Sequence, residues 1–145
     1  MLYNGMAEEG LTLIRAIRAR YDGRKRSPFD EAECGHHYAR AMASWSAVIA
    51  LTGFHYSAVS NALRFAVSPV PCCWFWSGGG AWGIVEQSPG AASTELRLTV
   101  LHGKLRLQSL TLEGSDTLAL DAVQTIVPGV PAIFEIPHET LEKIC

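Results

Sequence analysis

TELRLTVLHGKLRLQSL, residues 94–110, alternates apolar with polar residues for most of its length and breaks once, at His102-Gly103. Alternation of period two is the signature of a strand with one buried face, and two such runs around a short glycine-containing break predict a β-hairpin. With His102-Gly103 as a two-residue turn, Val100 faces Leu105 and Leu98 faces Leu107, while Arg97, Lys104 and Arg106 point away. The apolar phase then slips to Leu110 and Leu112, which predicts a bulge or a changed environment beyond Leu107.

The same texture extends on both sides. Short β-branched or alternating runs separated by glycine, proline and serine predict further strands at 63–67, 72–76, 82–86, 117–123 and 132–136. Residues 54–145 therefore form a β-rich C-terminal region, expected to be antiparallel. Within it, CCWFWSGGGAWG (72–83) gathers Trp74, Trp76 and Trp82 around three consecutive glycines. Exposed indoles beside a glycine loop can stack on the C–H face of a pyranose; the competing reading is core aromatics on two strands joined by a glycine turn. The glycines lack GxGxxG spacing and no helix follows, which argues against a nucleotide cradle.

Residues 1–53 read differently. Tyr3, Met6, Ala7, Gly10, Leu13, Ile14, Ile17 and Tyr21 recur at three- and four-residue spacing, the stripe of an amphipathic helix that Asp22-Gly23 would stop. Between Ala39 and Leu51 nearly every residue is small or apolar, so a second helix, ending at Thr52-Gly53, is expected to be buried almost all round. Two helices are too few to enclose a core of their own.

The chain has 145 residues, is 48% hydrophobic and carries a formal charge of only −2, one domain's worth of globular material. That charge excludes electrostatic nucleic-acid binding. No apolar run approaches the roughly 18 residues of a membrane span, and Glu8, Glu9, Arg15 and Arg18 stand where a signal peptide would be apolar. A cytoplasmic location is expected. The four cysteines (Cys34, Cys72, Cys73, Cys145) form no CxxC pair and read as reduced.

Polar chemistry concentrates in SPFDEAECGHHYARAMASW, residues 27–45, where Asp30, Glu31, Glu33, Cys34, His36, His37, Tyr38 and Arg40 precede the apolar helix. Acids also enrich at ordinary helix starts, so composition alone leaves a solvated first turn open. Arg40 narrows the choice: it opens an apolar helix, and a buried guanidinium without an acceptor costs on the order of 3–5 kcal/mol. Glu33, seven residues before Arg40, shares its face on one helix, whereas Glu31, nine before, lies opposite. Glu31 can meet Arg40 only if the regular helix starts after it. Cys34, His36 and His37 lack the fourth ligand and spacing of a zinc site, so no metal and no cofactor are expected.

This stretch closely resembles the signature N-P-x-(D/N)-E-x-E-C-G-x-H-Y-A-R-A-M-A-S-W of glycoside hydrolase family 116, which includes bacterial β-glucosidases and the non-lysosomal glucosylceramidase. The likeness covers residues 7–54, including the preceding EEGLTLIRAIRARYDG, and extends more loosely to WFWSGGGAWG. Ser27 replaces the usual asparagine.

The resemblance implies an α+β chain: the last helices of an (α/α)6-barrel-like catalytic domain (1–53) followed by the β-rich region (54–145). It implies that Glu31 and Arg40 bind hydroxyls of a β-glucoside or glucosylceramide-type sugar, with Glu33 and His37 as supporting neighbours; Trp76, from the aromatic run, is a further candidate for contact with the sugar. The family's nucleophile and acid/base lie upstream of the signature, so no catalytic residue is assigned here and the chain alone is expected to be inactive. The alternatives are a non-catalytic carbohydrate-binding module and a structural remnant of a truncated gene. Helix faces left bare would favour self-association.

Overall fold

The computed structural model describes residues 1–21, 24, 41–115 and 117–138, in two compact units, Met1–Leu51 and Thr52–Cys145. In the first, helix α1 spans Ala7–Arg18, with Glu8 and Glu9 in its first turn and Arg15 and Arg18 in its last, each complementing the helix dipole. A 3-10 turn, Leu2–Asn4, precedes it, and Leu2 packs over Gly10, the one buried residue of α1. Helix α2 spans Ala41–Thr52. The Tyr3 hydroxyl donates to the Ser46 carbonyl at 3.4 Å.

Helix α2 is not buried all round: Trp45 is 41% exposed and Ala47–Ala50 are half-buried. The predicted stripe of α1 is also open, with Leu13, Ile14 and Ile17 all exposed.

Thr52–Cys145 is built from strands in two four-stranded sheets. One contains β1 (His55–Ser57), β2 (Ala62–Phe65), β6 (Leu105–Leu112) and β7 (Thr117–Ile126), in the order β1-β2-β6-β7. The other contains β3 (Cys72–Ser77), β4 (Ala81–Pro89), β5 (Ser93–Gly103) and β8 (Ala132–Pro137), in the order β3-β4-β5-β8. Each sheet turns one face inward, so Leu63, Phe65, Leu107 and Leu110 of the first form a single cluster with Trp76, Val85, Leu98 and Ile136 of the second. Each such side chain contributes about 1.5–3 kcal/mol on leaving water. Of the buried polar residues Thr52, Ser68, Gln87 and Thr94, Gln87 is the largest. Its carboxamide accepts from the Ser68 N–H at 3.0 Å and donates to the Ala66 carbonyl at 2.9 Å, fastening β4 to the segment that leaves β2.

This architecture corrects the expected fold class. Eight strands and two 12-residue helices are present among the described residues, and the strands make a small β-sandwich-like domain, not an annex to the last helices of an (α/α)6 barrel. A barrel wall needs helices that bury their apolar stripes side by side, whereas the stripe of α1 stands open to solvent. The β region is also not purely antiparallel, because β2 pairs with β6 in parallel.

All seven predicted strands are present; β1 is additional. The predicted hairpin is not. β5 pairs with β4 and β8, and β6 with β2 and β7, so Leu98 and Val100 belong to one sheet and Leu105 and Leu107 to the other. The four still enter one core, now across the sandwich. The crossing occurs at Gly103, whose φ is +81° and where a Cβ would overlap the Gly80 carbonyl oxygen. Only glycine allows the chain to leave β5 there. The slip in apolar phase does correspond to a bulge between Leu107 and Ser109, in the pairing of β6 with β7, where the Gln108 N–H donates to the Asn61 carbonyl at 2.8 Å.

Candidate outward aromatic face

Glu31, Glu33, His37 and Arg40, with Cys34 and His36, lie outside the described residues. Trp76 is described. It is 1% exposed, stacks on Phe54 at 6.2 Å with the ring planes 27° apart, and its Nε1 has no hydrogen-bond partner. Trp74 is half-buried against the same core. Neither presents an open ring face of the kind a sugar needs.

The exposed rings lie on the opposite side of β3. Strand alternation that sends Trp74 and Trp76 inward sends Cys73, Phe75 and Ser77 outward. After the Gly78–Gly80 turn, Ser77 pairs with Trp82 and Phe75 with Ile84, which brings Trp82 to the same outer face. Phe75 and Trp82 are 40% and 41% exposed, with ring centroids 6.0 Å apart. His102 completes the run: its imidazole lies 5.8 Å from the indole of Trp82, planes 19° apart.

That last neighbour depends on an irregularity. β5 pairs Val100 with Gly83 and His102 with Trp82, so Leu101 is the extra residue of a bulge. Without the bulge Leu101 would stand beside Trp82; with it, an aromatic ring that can also donate or accept a hydrogen bond takes the place.

The next row along the sheet is polar. Cys73 pairs with Glu86 and Glu86 with Arg97, whose Nε lies 3.9 Å from the Glu86 carboxylate. Both side chains are nearly half exposed, so the pair adds little to stability, yet it sets a carboxylate acceptor and a guanidinium donor one row from Phe75 and two rows from Trp82 on the same face. The Cys73 thiol is held above its ordinary range, first by lost solvation, then by the charges of Glu86 and Cys72. Cys72 and Cys73 are free thiols. Flat rings on a face that also carries hydrogen-bond donors and acceptors can stack on and hydrogen-bond a ring-shaped ligand.

Phe75 and His102 escaped the sequence reading, which grouped Trp74, Trp76 and Trp82. The signal for Phe75 was present, since period-two alternation in CCWFWS separates it from Trp74 and Trp76. His102 had no local signal, because its place depends on the bulge.

At another edge of the sandwich an opening of about 560 Å³ is lined by residues including Ser68, Glu113, Ser115 and His138. Thr94 Oγ1 lies 3.0 Å from His138 Nε2, but Thr94 is wholly buried, so the pair fastens β5 to the segment after β8 and presents no nucleophile. Among the described residues no group of three or more His, Cys, Asp or Glu could hold a metal ion. Among them, too, no helix is long and apolar enough to cross a membrane. No protein-family model matches the chain, and no curated protein matches it.

Proposed function

We propose that the chain contributes glucose-binding residues to a β-glucosidase- or glucosylceramidase-like glycoside hydrolase of family 116, without supplying the hydrolytic carboxylates. The observation that carries this reading is the run SPFDEAECGHHYARAMASW, in which Glu31 and Arg40 occupy the family's glucose-contacting positions. A carboxylate accepts from sugar hydroxyls and a guanidinium donates to them. Retaining hydrolysis needs two carboxyl groups about 5–5.5 Å apart, and the family's pair lies upstream of this run. Segments outside residues 1–145 would supply them.

A second reading, a carbohydrate-binding module without catalysis, is favoured by the outward rings of Phe75, Trp82 and His102 on the sheet face that also carries Glu86 and Arg97. A cytoplasmic location belongs to either reading and is supported by the free thiols of Cys72 and Cys73. The exposed Leu13, Ile14 and Ile17 support self-association, which sedimentation would reveal.

Titration of the chain with methyl β-D-glucoside, followed by tryptophan fluorescence, tests both. Saturable binding weakened by Glu31→Gln or Arg40→Ala supports the first reading; binding weakened only by Trp82→Ala supports the second. Absence of saturable binding overturns both. Hydrolysis of an aryl β-glucoside by the chain alone, lost on Glu31→Gln or Glu33→Gln, would overturn the assignment of these residues to binding.

A further inference from the structure

The Gly78–Gly80 turn has a second consequence, independent of sugar binding. It forms one wall of a cavity of about 200 Å³, whose other walls come from Tyr56, Asn61 and the Lys104–Arg106 segment. We propose that this cavity binds a tetrahedral oxyanion, a phosphate or sulfate group.

Three observations support it. Lys104 and Arg106 both line the cavity, and among the described residues no carboxylate does. Neither cation is in an ion pair among the described residues. Two cations two residues apart, with no opposing acid among the described residues, form a local positive field, which an anion of matching size relieves. The volume holds several waters' worth of space, enough for one phosphate with part of its hydration shell.

The walls are also held in place before any ligand arrives. The Tyr56 hydroxyl donates to the Arg106 carbonyl at 2.8 Å, which ties β1 to the strand that carries the arginine. Asn61, the one non-glycine residue with positive φ among those described, at +53°, is locked by the Gln108 N–H on its carbonyl, at 2.8 Å. A backbone held in a sparsely populated region persists where its surroundings enforce it. Here it places a carboxamide-bearing residue, able to donate to an oxyanion, in the cavity wall. The turn itself is closed by the Gly78 N–H on the Ala81 carbonyl at 2.9 Å, and its glycines leave the wall free of side chains.

The test is a titration of the full chain with inorganic phosphate and, separately, sulfate at constant ionic strength, followed by amide chemical shifts. Saturable shifts are expected at residues 78–81 and 104–106, and the ion that saturates at lower concentration names the preferred group. The double variant Lys104→Ala/Arg106→Ala should weaken binding about tenfold or more, while Arg64→Ala, which removes an exposed cation outside the cavity, should leave it unchanged. Should the double variant fail to fold, Lys104→Gln alone should reduce the phosphate-dependent rise in Tm. Non-saturating shifts, equal shifts with chloride, or equal loss in Arg64→Ala would overturn the proposal.

Discussion

The indole of Trp82 lies over the imidazole of His102, centroids 5.8 Å apart and planes 19° from parallel. The pair exists because the bulge at Leu101 shifts β5 by one residue against β4. An outward ring in this position can be removed without opening the core. Trp82→Ala is expected to cost about 1–2 kcal/mol in urea unfolding. Trp76→Ala, at 1% exposure, should cost about 3–5 kcal/mol. Equal losses in the two variants would show that Trp82 is part of the core.

Gly103 carries a positive φ and sits against the Gly80 carbonyl, whereas Gly79, also at positive φ (+78°), has open space around it. Gly103→Ala should therefore destabilise the domain by several kcal/mol, combining backbone strain of about 1–2 kcal/mol with a steric clash. Gly79→Ala should cost only the strain. Thermal unfolding of the two variants side by side measures the difference.

Gln87 satisfies two backbone groups at the edge of the core, the Ser68 N–H and the Ala66 carbonyl. Gln87→Leu fills the volume but leaves both without their partner. A loss of about 2–4 kcal/mol is expected in denaturant unfolding. Amide exchange at Ser68 should accelerate in the same variant.

Cys73 should alkylate more slowly than an unhindered thiol at pH 8, because burial and then the charges of Glu86 and Cys72 hold its proton on. Glu86→Gln removes the second of these causes and should raise the rate, with burial still retarding it. A raised thiol value in the folded chain also means that the unfolded chain releases its proton first. Stability should therefore fall as the pH rises past the ordinary cysteine range. An iodoacetamide rate profile against pH for both proteins checks the first effect, and urea midpoints across the same pH range check the second.

Local alternation was sufficient to locate seven of the eight described strands and to choose the inward residues of β5 and the start of β6. Leu96, Leu98, Val100, Leu105 and Leu107 are apolar at period two, and all five are buried. The phase slip after Leu107 likewise marked the bulge in β6, and Thr52-Gly53 marked the end of α2, where Gly53 has φ +58°. Such features are written in a few neighbouring residues.

Partnership was not. A residue that must face a core does so equally well whether the next strand lies beside it or across from it, so TELRLTVLHGKLRLQSL fits a hairpin and a sheet-to-sheet crossing alike. The crossing at Gly103, the parallel pairing of β2 with β6, and the sandwich that replaces the expected (α/α)6-barrel context depend on contacts far apart in sequence. The site divides in the same way: Phe75 was legible from alternation, while His102 beside Trp82, and the cavity under the glycine turn, exist only once distant strands have set their register.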